Sequence, residues 1–303
     1  MSLPFNIAFS GLSSGLQTKN AISTSTGATR GLFGGGIEPS DVIDYITIAT
    51  TGNATDFGDL TVARGLLASC ASATRGVWAG SDAPSNIIDY ITIATTGNAT
   101  DFGDLTVARG YLAGCASATR GLFGGGAAAT ESNVIDYITI ATTGNATDFG
   151  DLTAVRQQLC ACASDTRGVF AGGYANSAVI GYVTIDTTGN ATSFGNLTVA
   201  RGYSAGCASD TRGVFGSGYT GSNSVVIDYI TIATTGNATS FGNVTVARRH
   251  LGACSSITRG VFGGGEADPI SNVIDYITID TTGNATDFGD LTVARRNAGC
   301  AGA

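Results

Sequence analysis

The chain has 303 residues, only 13% of them charged, and its 15 basic and 23 acidic residues give a net charge of −8. Twelve of the basic residues recur at two fixed positions of a repeat, so little positive charge is left to form a surface patch. A protein that neutralises phosphates needs clustered surplus positive charge, so nucleic acid and anionic membranes are not expected partners.

Residues 1–18 match the rest of the chain poorly and are predicted to form an N-terminal extension. They lack the basic start and the long apolar stretch of a secretion signal, so synthesis in a reducing cytosol is expected. The longest apolar runs, about eight residues, are too short for a transmembrane helix, so no membrane insertion is expected.

From residue 19 onward the sequence is a repeat. The Arg of a TRG motif recurs six times with spacings of 45, 45, 47, 45 and 47 residues, at Arg30, Arg75, Arg120, Arg167, Arg212 and Arg259. A period of this length with four short apolar runs per copy is typical of a propeller blade. The sequence therefore predicts an all-β fold, a six-bladed β-propeller with four antiparallel strands per blade, over residues 19–303.

Each copy predicts four strands, called A to D from the axis outward. Strand A is a run of small residues such as Leu67–Ser72, and strand B follows it in RGVWAG. Strand C is Val42–Thr50. Apolar residues occupy both its odd and its even positions, which predicts burial on both faces of the strand. A TTGN turn leads to strand D in ATDFGDL, because Gly and Asn tolerate positive φ.

The ring has two candidates for the inner strand of its first blade. Six B–C–D sets are present, but there are seven possible A strands. Ala298–Ala303 keeps the Cys and small residues of the repeat, whereas Ala21–Ser25 is a degenerate copy. We expect the C-terminal strand to pair into the first blade, so that strands from both termini close the ring and hide its edges.

The pattern of each unit resembles the kelch repeat. In one copy the matching positions are Arg109, the pair Gly124 and Gly125, Tyr137 and Phe149. Kelch repeats usually have Trp where this chain has Phe, and two copies alter the double glycine. The resemblance covers residues 19–303 and implies a kelch-like propeller, a fold that serves many activities and so does not specify one.

The near-verbatim segment NVIDYITIATTGNATDFGDLTVAR is similar to repeats in virion proteins of marine cyanobacterial phages, especially tail or fibre components. This resemblance implies a virion protein made in the host cytoplasm. A host surface glycan or another virion protein would be its partner, and a homo-oligomer within the assembly is open.

Differences among the six copies are concentrated in the B–C and D–A loops, which a propeller places on one face. The residue types there suit adaptable contacts, and the candidate binding residues are Tyr111, Gln157, Gln158, Tyr174, Tyr203, Tyr219, Arg249, His250, Arg296 and Asn297. The hypothesis is recognition by this face. The alternative is that the loops vary because nothing depends on them.

Three repeated features have structural explanations. Arg64 and Arg75 suggest an anion-binding ring, but an Arg paired with Asp44 or Asp89 of the IDY segment is favoured because Arg and Asp repeat together.

Six of the seven cysteines recur on strand A and are expected to be buried apolar residues, with a metal-binding thiol ring as the alternative. Asp56 and Asp59 leave a calcium site open, although calcium needs six or more oxygens. No cofactor and no metal site are predicted.

Enzymatic readings have little support in the sequence. His250 is the only histidine, so His-rich metal sites and repeated acid–base pairs are excluded. The predicted function is a non-enzymatic structural or binding module. A soluble lectin with up to six shallow sugar sites is the alternative, and a propeller enzyme is the second.

Overall fold

Every repeat folds into four antiparallel strands, because its Ile-, Val- and Tyr-rich segments alternate with glycine-containing turns. The computed structural model describes residues 30–37 and 40–302, and over these residues the fold is all-β, without helix.

The strands follow one another in chain order. Blade 1 begins with β1 (Arg30–Gly34), β2 (Val42–Thr47) and β3 (Thr55–Asp59). Blade 2 contains β4 (Ala68–Ala71), β5 (Arg75–Ala79), β6 (Ser85–Thr92) and β7 (Thr100–Arg109), and blade 3 contains β8 (Ala113–Ala116), β9 (Arg120–Gly124), β10 (Val134–Thr139) and β11 (Thr147–Asp151). Blade 4 contains β12 (Cys160–Ala163), β13 (Arg167–Ala171), β14 (Val179–Thr184) and β15 (Thr192–Asn196), and blade 5 contains β16 (Ala205–Ala208), β17 (Arg212–Gly216), β18 (Val226–Thr231) and β19 (Thr239–Asn243). Blade 6 contains β20 (Gly252–Ser255), β21 (Arg259–Gly263), β22 (Val273–Thr278) and β23 (Thr286–Asp290), and β24 (Gly299–Gly302) ends the series.

The ring closes through the C-terminal strand, as predicted. Strand β24 pairs antiparallel with β1, with Leu32 opposite Ala301 and Phe33 opposite Cys300. The order within blade 1 is therefore β24–β1–β2–β3. The competing segment Ala21–Ser25 and the extension at residues 1–18 lie outside the described residues.

The apolar core is divided into layers between neighbouring blades. One layer joins Val77, Ile88 and Phe102 of blade 2 to Phe123 and Ile138 of blade 3. The C strands are buried on both faces, as their pattern predicted, although β2 ends at Thr47, three residues earlier than expected. Each blade is thus held by its neighbours rather than by a core of its own.

Five of the seven cysteines pack against the TRG glycine of the next blade. A Cβ added to Gly121 would lie 2.6 Å from the Sγ of Cys70, closer than van der Waals contact allows. The glycine of the TRG motif thus makes room for the thiol. Six of the seven cysteines are buried and Cys300 is half-buried, and no metal-binding cluster occurs among the described residues.

The invariant TTGN turns join neighbouring blades on the outside. The amide of Gly97 donates to the carbonyl oxygen of Phe57 at 2.8 Å, and the Asn98 side-chain oxygen accepts from the amide of Asp59 at 3.2 Å. The same asparagine bond recurs at all six junctions. The turn is therefore constrained by its neighbour as well as by its own backbone.

The two repeated arginines have different roles. Arg64 forms the predicted ion pair with Asp89 at 2.6 Å. Arg75 instead stacks over the ring of Tyr90, 4.5 Å from its centroid, and donates to the carbonyl oxygen of Ile140 in the next blade at 2.8 Å. Both contacts fix the register between blades, and neither leaves a ring of free cations.

In residues 30–37 and 40–302, no helix has the length and apolar character needed to cross a bilayer.

Candidate functional site

The B–C and D–A loops adjoin one another at one end of the propeller. Gly202 forms a bridge with Tyr219, and Arg249 forms another with Glu266. This surface, made of both loop types, is the variable face. All ten predicted binding residues belong to these loops.

Six residues around the mouth of the central channel form a closed ring of backbone hydrogen bonds. They are the equivalent residues of the six D–A loops: Leu66, Tyr111, Gln158, Tyr203, His250 and Asn297. Each donates its N–H to the carbonyl oxygen of the preceding member, at 2.7–3.1 Å, and Leu66 donates to Asn297. We call these residues the mouth ring.

All six members of the mouth ring adopt a positive φ, between 54° and 60°. None is glycine, and such a conformation costs other residues roughly 1–3 kcal/mol each. No member is β-branched, which keeps the conformation accessible. The ring of hydrogen bonds holds the backbone in this strained conformation. It thereby fixes the positions of the six Cα atoms from which the side chains extend.

The mouth ring encloses a cavity of about 100 Å³. Its lining includes the side chains of Tyr111, Gln158 and Tyr203, and also Ser204, whose equivalent in four of the other copies is leucine. The Gln158 Oε1 atom is buried and has no hydrogen-bond partner among the described residues. The cavity therefore contains an acceptor that is free for a donor from outside.

Aromatic rings are grouped on one side of this mouth. The Tyr203 ring lies 6.4 Å from Tyr174, 6.2 Å from Tyr219 and 4.3 Å from His250, all in edge-on geometry. The Arg249 guanidinium lies over Tyr219, 4.7 Å from the ring centroid. Edge-on aromatic contacts stabilise such groups by roughly 0.5–1.5 kcal/mol per pair.

Glu266 joins two arginines to this group. Its carboxylate accepts from Arg249 at 2.5 Å and from Arg296 at 2.6 Å, and it lies 4.0 Å from Nε2 of His250. The three charged side chains are 21–32% exposed. We call Tyr174, Tyr203, Tyr219, Arg249, His250, Glu266 and Arg296 the Tyr203–Glu266 patch.

Burial and the neighbouring charges together set the protonation states of Glu266 and His250. Partial burial acts to raise the pKa of Glu266, but the hydrogen bonds from Arg249 and Arg296 outweigh it and lower that pKa. Burial lowers the pKa of His250 to about 4, with Glu266 opposing this and Arg249 reinforcing it. At neutral pH the patch therefore has a neutral imidazole, one carboxylate and two guanidinium groups.

Nine of the ten predicted residues lie in the mouth ring or beside it, on the side of the Tyr203–Glu266 patch. Five of them belong to the mouth ring: Tyr111, Gln158, Tyr203, His250 and Asn297. Tyr174, Tyr219, Arg249 and Arg296 lie around this ring on the side of the patch. The side chain of Gln157 donates to the Glu131 carboxylate at 3.3 Å, and its carbonyl oxygen accepts from the amide of Tyr174 at 2.8 Å.

Sequence reasoning missed Glu266 and Leu66. Among the residues that the structure describes, Glu266 is the one acidic residue that contacts two of the predicted arginines. The signal was its place in the loop EADPIS opposite the doubled arginines of RRH and RRN. Leu66 carries no signal of its own, since only the closed backbone ring reveals its place.

The opposite end of the channel is wider but more uniform. Its mouth, about 450 Å³, is lined mainly by alanine and serine of the A–B turns, together with Asp165, Asp210 and Ile257. Because these turns are nearly identical in all six copies, they offer little chemical selectivity. The variable face is the better candidate for recognition.

The chain matches no protein-family model and no curated protein sequence. Its function must therefore be inferred from the geometry of the site.

Proposed function

We propose that this protein is a non-enzymatic binding module whose variable face recognises a host surface polymer of glycan chemistry. The observation that supports this is the combination at one mouth: a buried, unpartnered acceptor on Gln158 beside the rings of the Tyr203–Glu266 patch. Sugars present hydroxyl donors and apolar ring faces together. Tyr, Arg and Gln contact such surfaces at low entropic cost.

The cavity favours one recognition point rather than six. At about 100 Å³ it accepts a terminal group of a polymer, and the aromatic rings beside it offer a surface for the adjoining sugar. A lectin with six equivalent sites would need one side chain to recur around the mouth ring. The ring instead has six positions filled by five residue types.

A catalytic role has little support. The cavity hydroxyl of Ser204 is hydrogen-bonded to the Sγ of Cys160 at 3.2 Å, and His250 is neutral beside Glu266. A hydrolytic pair would need the Ser204 hydroxyl to donate to the imidazole of His250, whereas it donates to Cys160.

We further propose that the protein is a kelch-like component of a phage virion, in a tail or fibre. Its resemblance to repeats of cyanophage virion proteins supports this location. Another virion protein is then the alternative partner for the variable face.

Glycan-array and host-envelope binding tests the proposal. We expect the protein to bind, and a variant with Gln158→Ala and Tyr219→Ala to bind at least tenfold more weakly, equivalent to about 1.4 kcal/mol. The matched control is Ile257→Ala, because Ile257 is 64% exposed at the opposite mouth. Glycan recognition by this face would be refuted if Ile257→Ala weakened binding as much as the double variant does. It would also be refuted if the protein bound no glycan and no host envelope.

A further inference from the structure

Five of the six blade junctions bury an aspartate in the same cradle. At one junction Asp228 accepts from Arg201 at 2.7 Å, from the amide of Thr198 at 3.3 Å and from the Thr198 hydroxyl. The other four carboxylates are those of Asp44, Asp89, Asp136 and Asp275, each beside the equivalent arginine. All five aspartates are 0% exposed.

The sixth cradle has its donors but no carboxylate. Its strand reads VIGY instead of VIDY, so Gly181 stands where the others have aspartate. Arg156 is still buried, with 6% exposed, and donates to the carbonyl oxygens of Gly172 at 3.2 Å and Val179 at 2.9 Å. Its Nη2 atom has no hydrogen-bond partner among the described residues, whereas an Nη atom of Arg64, Arg201 and Arg248 donates to the aspartate of its cradle.

The space beside Arg156 is open to a small group. A Cβ added at Gly181 would meet nothing closer than 3.6 Å, and its nearest neighbours are Thr153 and the carbonyl oxygen of Thr192. Thr153 is the equivalent of Thr198, the residue that binds the carboxylate in the cradle of Asp228. Gly181 therefore leaves room for at least the first side-chain atom of an aspartate, beside the same threonine and arginine donors as in the other cradles.

The Cys160 thiol does not balance the charge of Arg156. Cys160, which is present only in this copy, lies close enough to Arg156 to influence it electrostatically. Its thiol donates to the carbonyl oxygen of Ala171 at 3.4 Å and accepts from the Ser204 hydroxyl at 3.2 Å. Burial raises the pKa of the Cys160 thiol, so it stays neutral beside a buried cation. An unpaired buried charge is costly, and a bound counter-ion removes that cost.

We propose that Arg156 and Thr153 form a binding site for a small monovalent anion, a carboxylate of formate or acetate size or a halide. The anion would occupy the place that an aspartate carboxylate fills at the other five junctions. Because those carboxylates are fully covered, the ligand is a free ion rather than a side chain of another protein. This inference does not depend on the proposed function.

Thermal unfolding in sodium formate tests the site, with Gly181→Asp as the matched variant. This substitution supplies the carboxylate internally. We expect formate to raise the Tm of the natural protein by about 2–4 °C in a saturable manner, as a ligand that binds only the folded state does. The G181D protein should show no saturable rise. In a second arm, Asp228→Gly creates a second cradle, and a crystal soaked in bromide should show bromide beside Arg156 in the natural protein and beside both Arg156 and Arg201 in the variant.

Two results would overturn the proposal. One is an equal response to formate in the natural protein and in G181D. The other is a bromide-soaked crystal of the natural protein without bromide beside Arg156, a result that stands whether or not either variant folds. A third variant, Cys160→Ala, should leave the formate response unchanged. A formate response that appears only in this variant would show that the thiol, not an ion, balances Arg156 in the natural protein.

Discussion

The indole Nε1–H of Trp78 donates a hydrogen bond of 3.1 Å to the carbonyl oxygen of Gly299. Trp78 belongs to β5 of blade 2, and Gly299 is the first residue of β24, the strand that closes blade 1. The bond therefore ties the strand that closes the ring to the neighbouring blade 2. Trp78 is the only tryptophan of the chain and is fully buried, so its fluorescence reports on the packing of this contact.

Deleting residues 298–303 should open the ring in blade 1. The deletion removes the ladder between β24 and β1, at about 1 kcal/mol for each hydrogen bond, and exposes the indole. We expect the Tm to fall by about 8–16 °C and the emission of Trp78 to shift to longer wavelength. An unchanged melting curve would mean that another segment supplies the inner strand of blade 1.

A milder change at the same contact is Gly299→Ala. The added Cβ would lie 2.3 Å from Cδ1 of Leu67 and 2.7 Å from Cδ1 of Trp78, so we expect a loss of about 1–3 kcal/mol in unfolding free energy. Gly236→Ala is the control, because a Cβ there meets nothing within 4 Å. Equal losses in the two variants, measured by urea unfolding, would contradict the packing at Gly299.

Removing the arginine should have unequal effects in two neighbouring cradles. Arg201→Met leaves the buried Asp228 unpaired and should destabilise the protein by about 3–5 kcal/mol. Arg156→Met removes a buried cation that no carboxylate pairs with, so its cost should be much smaller in dilute buffer without added formate. Urea unfolding of both variants measures the difference, and a loss for Arg156→Met as large as that for Arg201→Met would contradict the unpaired state of Arg156.

Much of the fold follows from the sequence because the repeat supplies the same local information six times. Apolar residues at both odd and even positions of Val42–Thr50 predicted burial on both faces. The cysteine within residues 298–303 predicted which strand closes the ring. The role of the invariant asparagine was missed. A TTGN turn explains its own backbone, but the bond from Asp59 to Asn98 joins residues of different blades and has no local signature.

The candidate site was less predictable than the fold. The six members of the mouth ring share a backbone conformation that the sequence does not mark with glycine, so they could only be recognised as loop residues. The exception at Gly181 was visible as a break in the IDY pattern, and its meaning depends on the burial of Arg156. Loops that differ between copies indicate a face, whereas contacts such as Glu266 with Arg296 define a site.

The turn between strands C and D gives a direct test of blade docking. Asn145→Ala removes the side-chain oxygen that accepts from the amide of Asp104 at 3.1 Å, and we expect a loss of about 1 kcal/mol in unfolding free energy. Thr143→Ala is the control, since Thr143 is exposed in the same turn. Hydrogen exchange of the Asp104 amide should quicken in the first variant only. If both variants lose equal stability, the turn acts through its own conformation and not through the neighbouring blade.

A fall in pH should lower the unfolding free energy of the protein because of His250. Its pKa is about 4 in the folded protein, because burial disfavours the imidazolium, against an ordinary value of 6.5. Below pH 6.5 the unfolded chain binds the proton that the folded protein refuses, so stability present above pH 6.5 is lost as the pH falls toward 4. The loss attributable to this one group is up to about 3 kcal/mol. Urea unfolding between pH 7 and pH 4.5 measures it, and His250→Gln should flatten the decline in this window. Glu266, whose pKa is lowered, contributes only below its ordinary value of 4.5, so a decline of the same steepness in both proteins between pH 6.5 and pH 4.5 would show that His250 is not held neutral by burial.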